Sequence, residues 1–180
     1  MLKRMVARVI LLLALLAGTP GRAEMLIEDF TDDPAARWSF FTDGVMGGRS
    51  QGQAVIGGRP PHLHLTGTVS TANNGGFIQA RQQIDGLPDG TTALTLTARG
   101  DGQVYYVHLR STATRLPWQY YQARFTAPRD WAEITLPLSG FTAAGGRLPP
   151  LAPADIRSVA LVAYGRDHQA DVAVSRIGTE

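Results

Sequence analysis

Residues 38–50 read WSFFTDGVMGGRS, and this stretch contains both features that decide the fold. It begins with aromatic and hydroxyl side chains, which are typical of a β-strand. It continues into a glycine-rich loop with one acid and one base. In this loop Asp43-Gly44 is a turn pair, and Gly47-Gly48 permits a positive φ or the close approach of another segment. A strand that ends in such a loop predicts a β-rich domain, and the loop itself is a candidate binding site.

The alternation of short strands and turns continues to the end of the chain. Apolar and polar residues alternate at 63–66 and 94–97, as expected for strands with one buried face. Glycine, proline and aspartate turns follow at the spacing of an all-β sandwich. The pattern predicts two packed sheets with jelly-roll connections. The eleven predicted strands are Met25–Phe30, Trp38–Thr42, Gln53–Ile56, His62–Val69, Phe77–Ile84, Ala93–Ala98, Val104–Leu109, Tyr120–Phe125, Ala132–Leu136, Ser158–Ala163 and Ala170–Ile177.

The first 23 residues have a different character. Lys3, Arg4 and Arg8 precede an apolar run at residues 9–17, and the small-x-small sequence Gly21-Arg22-Ala23 follows. A basic start, a short apolar run and a small-residue exit predict a signal peptide at 1–23. A retained membrane anchor is the alternative, but the run is shorter than the roughly 20 residues of a spanning helix. We therefore predict a single domain at 24–180, periplasmic or secreted, with no transmembrane segment after cleavage.

The composition excludes several kinds of chemistry. Of 17 basic residues, four lie in the predicted leader, so 13 basic and 15 acidic residues remain in the mature chain. A net charge near −2 removes the electrostatic support for a nucleic-acid partner. There is no cysteine, and no lysine beyond Lys3. Thiol nucleophiles, zinc–thiolate sites and Schiff-base lysines are therefore excluded from the mature chain.

The sequence does not indicate a catalytic site. It has no Gly-x-Ser-x-Gly motif, and no nucleophile–base pair can be named. His62 and His64 share a face of a predicted strand and could bind a metal together, but the spacing indicates no third ligand. We expect a protein that is not an enzyme and has no metal and no cofactor.

The candidate binding residues fall into three groups. Two glycine loops supply the first group, for which tight turns are the alternative explanation: Asp43, Met46, Arg49, Asn73 and Asn74. Predicted central strands supply Arg81, Arg99 and Arg110, which could clamp a carboxylate or sugar hydroxyls, and the turn after Arg99 supplies Asp101. Structural ion pairing is the alternative for these residues. We expect Asp43, Arg49, Asn74, Arg81 and Asp101 to cluster at one end or edge of the sandwich.

Aromatic residues form the third group. Tyr105 and Trp118 are candidates because they belong to a set of aromatics on neighbouring strands, in which Tyr105-Tyr106 and Tyr120-Tyr121 are adjacent pairs. Adjacent strand residues face opposite sides, so one member of each pair points away from the core unless both faces are covered. An outward aromatic offers a stacking surface for a sugar or a protein partner, and burial in the core is the alternative.

Four blocks of sequence resemble the complex I intermediate-associated protein 30 family. In chain order they are DGVMGGRS at 43–50, NNGGF at 73–77 with Arg81, RGDG at 99–102 with Tyr105, and Trp131 with LPL at 136–138 and Phe141. The resemblance covers nearly all of the mature chain. It implies a galactose-binding-like jelly-roll domain that binds subunits of respiratory complex I during assembly without catalysing a reaction.

Two functions are compatible with these observations. The resemblance implies a non-catalytic exported binding protein, a chaperone or assembly factor whose protein partner could be a respiratory-complex membrane subunit. The alternative is a carbohydrate-binding jelly-roll module that binds envelope glycans, which the fold and the aromatics suggest.

Overall fold

The computed structural model describes residues 24–180, so the predicted signal peptide at 1–23 lies outside the described residues. The described chain consists of β-strands joined by turns and single 3₁₀ turns. The twelve strands of the described part are β1 Leu26–Glu28, β2 Trp38–Thr42, β3 Gln51–Gly57, β4 His62–Val69, β5 Phe77–Gln83, β6 Ala93–Gly100, β7 Val104–Ser111, β8 Tyr120–Thr126, β9 Ala132–Pro137, β10 Thr142–Ala144, β11 Ile156–Tyr164 and β12 His168–Thr179. The 3₁₀ turns are Pro34–Ala36, Asp43–Met46, Ala72–Asn74, Leu138–Gly140 and Pro153–Asp155.

The strands form two antiparallel sheets. Sheet 1 has the order β3-β4-β12-β6-β9, with β1 paired to β12. Sheet 2 has the order β10-β8-β7-β11-β5-β2. The chain passes repeatedly from one sheet to the other, and the last two strands, β11 and β12, lie in the middle of their sheets. This arrangement confirms the predicted all-β jelly-roll sandwich.

All eleven predicted strands are present, with boundaries shifted by a few residues. The additional strand is β10, which pairs with the start of β8 at the edge of sheet 2. It has only three residues and lies just before a glycine- and proline-rich loop, so it shows no alternation that a sequence pattern could reveal. The tertiary pairing with β8 creates this strand.

The core lies between the sheets and follows the alternation of each strand. Leu63 and Leu65 of β4 and Leu94 and Leu96 of β6 point inward from sheet 1 and are almost completely buried. Alternate residues of sheet 2, such as Ile78 of β5, meet them across the core. The other residues of each strand in sheet 2 therefore face outward, and that outer face forms the candidate site.

Candidate functional site

A groove crosses the outer face of sheet 2. Its volume is about 840 Å³, which is in the range of small-molecule and peptide sites. The groove follows from side-chain size along neighbouring strands. The strand β11 contributes Ser158, Ala160 and Val162, whose small or short side chains form the floor. Longer side chains from the strands on either side form the walls, among them Phe41, Gln79, Arg81, His108 and Tyr120.

Loops form two opposite corners of the groove. The loop after β2 carries Val45 and Met46, whose exposed fractions are 75% and 61%. Asn74 and Gly75, in the loop before β5, lie beside them. At the other corner, Trp118 precedes β8 and is 57% exposed. Three of the exposed large hydrophobic side chains of the described chain therefore border a single groove.

The Asp43 carboxylate joins the two glycine loops. It is fully buried and accepts hydrogen bonds from Ser50 N (2.9 Å), Ser50 Oγ (2.5 Å), Gly76 N (2.5 Å) and Phe77 N (3.3 Å). A Cβ on Gly48 or Gly75 would overlap this carboxylate. Burial alone would raise the pKa of Asp43, but the hydrogen bonds outweigh it and the pKa is lowered. The carboxylate thus remains charged and holds Val45 and Met46 in place.

Arg110 organises the opposite corner. Its guanidinium donates to the carbonyls of Thr114, Leu116 and Pro117, at 3.4, 2.9 and 3.3 Å. These bonds fix the loop that carries Trp118. Gly145 has a φ of +76°, and a Cβ there would overlap the Trp118 carbonyl, so the β10 side of the groove also requires a glycine.

One wall of the groove is an aromatic cluster. The rings of His108 and Tyr120 stack at 4.1 Å, and Tyr164 and Tyr106 meet them edge-on. Burial lowers the pKa of His108 to about 4, so this imidazole is neutral at pH 7. Burial, and after it a hydrogen bond to Tyr164, raises the pKa of Tyr120. The cluster is therefore an uncharged wall of packed rings at pH 7.

The opposite wall carries an isolated cation. The Arg81 guanidinium lies 4.7 Å from the centre of the Phe41 ring and makes no hydrogen bond or ion pair with another described residue. Burial, and after it the charge of Arg110, lowers the pKa of Arg81. Among the described residues that line the groove there is no aspartate or glutamate. The groove is therefore positively charged.

The structure separates the residues proposed from the sequence into three places. The groove itself is lined by Met46, Asn74, Arg81 and Trp118. Asp43 lies beneath the rim, and Asn73 donates from Nδ2 to the Gly47 carbonyl at 3.2 Å, joining the two loops. Arg49 is exposed beside the loop and does not line the groove. The remaining candidates, Arg99, Asp101 and Tyr105, do not line the groove either.

Those last three residues have structural partners. The Tyr105 hydroxyl donates to Asp101 Oδ2 (3.0 Å) and accepts from Asp171 N (2.8 Å), with the ring fully buried. Burial, and then the Asp101 carboxylate, raises the pKa of Tyr105. Arg99 lies over the Trp131 ring on the outer face of sheet 1, at 4.9 Å. The Tyr105 and Asp101 side chains thus stabilise the β6–β7 turn and its contact with β12.

The sequence-based candidates do not include the groove residues Tyr120, His108 and Tyr164. The alternation of side chains along a strand was the signal that could have indicated Tyr120. Tyr105 and Tyr121 are buried, whereas Tyr106 and Tyr120 lie on the groove face, as expected when adjacent strand residues face opposite sides. Arg110 has the same orientation on β7. His108 and Tyr164 could be placed only once the pairing of β7 and β11 was known, because β11 brings them together.

The histidines and acids of the described residues do not form a metal centre. No group of three or more His, Cys, Asp or Glu within residues 24–180 could hold a metal ion. His64 Nε2 instead lies 2.7 Å from Asp171 Oδ1, and the His62 ring meets Trp131 edge-on. Residues 24–180 also include no helix long and apolar enough to cross a membrane.

The chain matches the family model of complex I intermediate-associated protein 30 (CIA30) over residues 28–173. The chain belongs to this family. The matched range contains both glycine loops and every residue that lines the groove. In this CIA30 protein the DGVMGGRS block therefore supplies both the buried Asp43 lock and the exposed Val45–Met46 rim. A comparison with curated proteins finds no match.

Solved structures similar to this CIA30 protein include carbohydrate-binding modules. The family 11 module from Clostridium thermocellum, solved with a β-1,3-1,4-mixed-linked tetrasaccharide, has a TM-score of 0.65 at 17% identity, covering 87% of this chain and 94% of the module. The family 30 module of a Clostridium thermocellum cellulosomal cellulase has a TM-score of 0.59 at 14% identity, covering 87% and 96%. At these identities the likeness shows the jelly-roll fold alone.

Proposed function

We propose that this protein is an exported, non-catalytic chaperone or assembly factor that holds an extended segment of another protein in the groove of sheet 2. One observation carries the proposal: Val45, Met46 and Trp118, all strongly exposed, border the same groove. Exposed apolar residues gathered around a concavity are typical of interaction sites. Methionine in particular adapts to different apolar partners.

Family membership supports a role in assembly. The CIA30 family is named for its association with an intermediate of complex I, and the partner proposed here is a membrane-arm subunit of a respiratory complex. The predicted leader would export the protein, so the segment it binds would lie on the periplasmic side. The periplasmic location of the protein is therefore tested together with the identity of its partner.

The chemistry of the groove supports a non-catalytic role. His108 is stacked on Tyr120, and because burial lowers its pKa to about 4, the ring becomes a cation only below about that pH. Ser158 Oγ has no hydrogen bond to it, and no carboxylate among the described lining residues orients its ring. A nucleophile activated by a base requires such contacts.

The proposal is tested by recovering partners with rim variants. Met46→Asp and Trp118→Ala should reduce the recovery of membrane-arm subunits with the tagged protein from detergent-solubilised cells, measured by quantitative mass spectrometry. The matched control is Val55→Asp, because Val55 is 51% exposed on the edge strand of sheet 1 and lies outside the groove. Equal recovery with the rim and control variants would contradict the proposal.

Carbohydrate binding is the second candidate, and Trp118 with its neighbour Tyr120 is the observation that favours it. Planar aromatics beside a groove can stack on sugar rings, and the two modules described above show that the fold is compatible with glycan recognition. Affinity electrophoresis in mixed-linked β-glucan and in solubilised peptidoglycan tests it. A glycan binder should be retarded and should lose the retardation with Trp118→Ala, while the melting temperature stays unchanged.

A further inference from the structure

We propose that the groove contains a carboxylate-binding site formed by Arg81, Arg110 and Ser158, and that the bound polypeptide presents an acidic side chain to it. The inference rests on the proposed function and adds to it the chemical class of the recognised segment. Three independent features of the groove support it, one from each of the strands β5, β7 and β11.

The first feature is the unpaired guanidinium of Arg81. An arginine that is partly removed from water normally pairs with a carboxylate or with several carbonyls, because an unpaired buried charge is costly. Arg81 has no such partner among residues 24–180 and meets only the face of the Phe41 ring. Its N–H donors therefore remain available, and a planar fork of donors matches a carboxylate.

The second feature is the position of Arg110. Its Nη1 and Nη2 atoms bind loop carbonyls, which are neutral acceptors and leave its positive charge uncompensated. Arg110 pairs with Ser158 across β7 and β11, and Arg81 pairs with Ala160 across β5 and β11. The two arginines thus stand on either side of one strand and are offset by two residues along it, with backbones about 12 Å apart. An anion between them would be attracted by both charges.

The third feature is the hydroxyl of Ser158. The residue is 1% exposed, and its Oγ has no hydrogen-bond partner. Buried hydroxyls in native proteins are normally satisfied, so an orphan at the floor of a groove indicates a group supplied from outside. A carboxylate oxygen between Arg81 and Arg110 would accept from this hydroxyl.

The rim determines which kind of molecule carries the carboxylate. Val45 and Met46 are aliphatic, flexible and strongly exposed, and such side chains pack on apolar side chains rather than on the flat faces of sugar rings. The occupant that fits both the two arginines beside the floor and the aliphatic corner formed by Val45 and Met46 is a polypeptide segment in which an acidic residue lies next to apolar ones.

Selection from a random peptide library displayed on phage tests the inference, with the mature wild-type protein and two variants as targets. Arg81→Gln removes the proposed ligand. Arg99→Gln is the matched control, since Arg99 also lies over an aromatic ring but on the outer face of sheet 1. The wild type and the control should enrich apolar peptides that contain aspartate or glutamate, and Arg81→Gln should lose the acidic preference.

The affinity of one selected peptide for each variant then measures how much its acidic side chain contributes to binding. Changing its acidic residue to the amide should weaken binding to the wild type about tenfold or more, the usual effect of a charge-assisted hydrogen bond. With Arg81→Gln the same change should have little effect. Ser158→Ala should weaken binding without lowering the melting temperature, because it removes an unsatisfied hydroxyl rather than a structural bond.

The outcomes separate the two proposals. Groove-dependent peptides without an acidic preference would overturn the carboxylate site and leave the proposed function standing. Retention of a uronate polymer such as polygalacturonate in an Arg81-dependent manner, with no peptide enriched, would overturn both the polypeptide partner and the proposed function. A loss of affinity equal in Arg99→Gln and Arg81→Gln would show a general charge effect and would overturn the site.

Discussion

Asp43 explains at the residue scale why one acid and several glycines occur together in the DGVMGGRS block. Its buried carboxylate accepts hydrogen bonds from both loops, and Gly48 and Gly75, which have no side chain, leave room for it. Asp43→Asn keeps the size of the side chain but replaces one acceptor oxygen with an NH2 group, which cannot accept a hydrogen bond from the donors around it. We expect a loss of about 2–3 kcal/mol in the free energy of unfolding. Urea denaturation measures it, with the exposed Asp89→Asn as control. A loss equal to that of the control would contradict this role.

The same carboxylate predicts how stability depends on pH. The pKa of Asp43 is lowered on folding, and so is the pKa of Glu28. Burial alone would raise the pKa of Glu28, but hydrogen bonds from Arg37, Phe30 and Trp38 outweigh that effect. Groups with a lowered folded pKa contribute stability above their unfolded pKa, about 4, and lose it as the pH falls through the folded value. The melting temperature should therefore drop below about pH 4, and the drop should be shallower in Asp43→Asn. Parallel profiles would contradict the prediction.

Two adjacent glycines have different reasons to be glycine. Gly47 has a φ of +84° with open space around it, so Gly47→Ala should cost about 1 kcal/mol from backbone strain alone. Gly48→Ala should cost more, because its Cβ would overlap Asp43. The branched Gly47→Val should disrupt folding more than Gly47→Ala does. Thermal melting of the three variants decides the order, and equal melting temperatures for Gly47→Ala and Gly48→Ala would contradict it.

The Tyr105 hydroxyl joins two elements of the fold, the β6–β7 turn and strand β12. Tyr105→Phe leaves the Asp171 amide without this partner and should destabilise the fold by about 1–2 kcal/mol. Peptide binding in the groove should not change, since the hydroxyl faces another part of the molecule. Chemical denaturation and a binding titration on the same sample measure both. A variant of unchanged stability and weakened binding would reverse this assignment.

The strands and the loops of this fold differ in how far sequence could predict them. Alternation identified the long strands because each has one face in the core, as in β4 and β6. It could not find β10, whose three residues become a strand only through pairing with β8. The site was only partly predictable for the same reason. Met46, Asn74, Arg81 and Trp118 come from separate segments, and the pairing of β5, β11 and β7 is what places them around one groove.

At the scale of the whole molecule, the two sheets have different roles. The inner faces of both sheets form the core, whereas the outer face of sheet 2 is left as a positively charged groove with an apolar rim. The buried Asp43 carboxylate holds the Val45–Met46 corner of this surface in place by hydrogen bonds to both loops, which lowers the conformational entropy that this corner would lose on binding. The groove is therefore a preformed surface suited to an extended, acidic and apolar segment.

Site-specific photo-crosslinking in living cells tests whether the groove of sheet 2 binds such a segment. A photoreactive amino acid at Met46 or Trp118, in the groove rim, is compared with one at Val55, on the edge of sheet 1. We expect a crosslink from the rim positions, and not from Val55, to a periplasmic segment of a respiratory membrane-arm subunit that contains an acidic residue. Crosslinks that are equal at the rim and at Val55, or rim positions that capture only glycan, would contradict it.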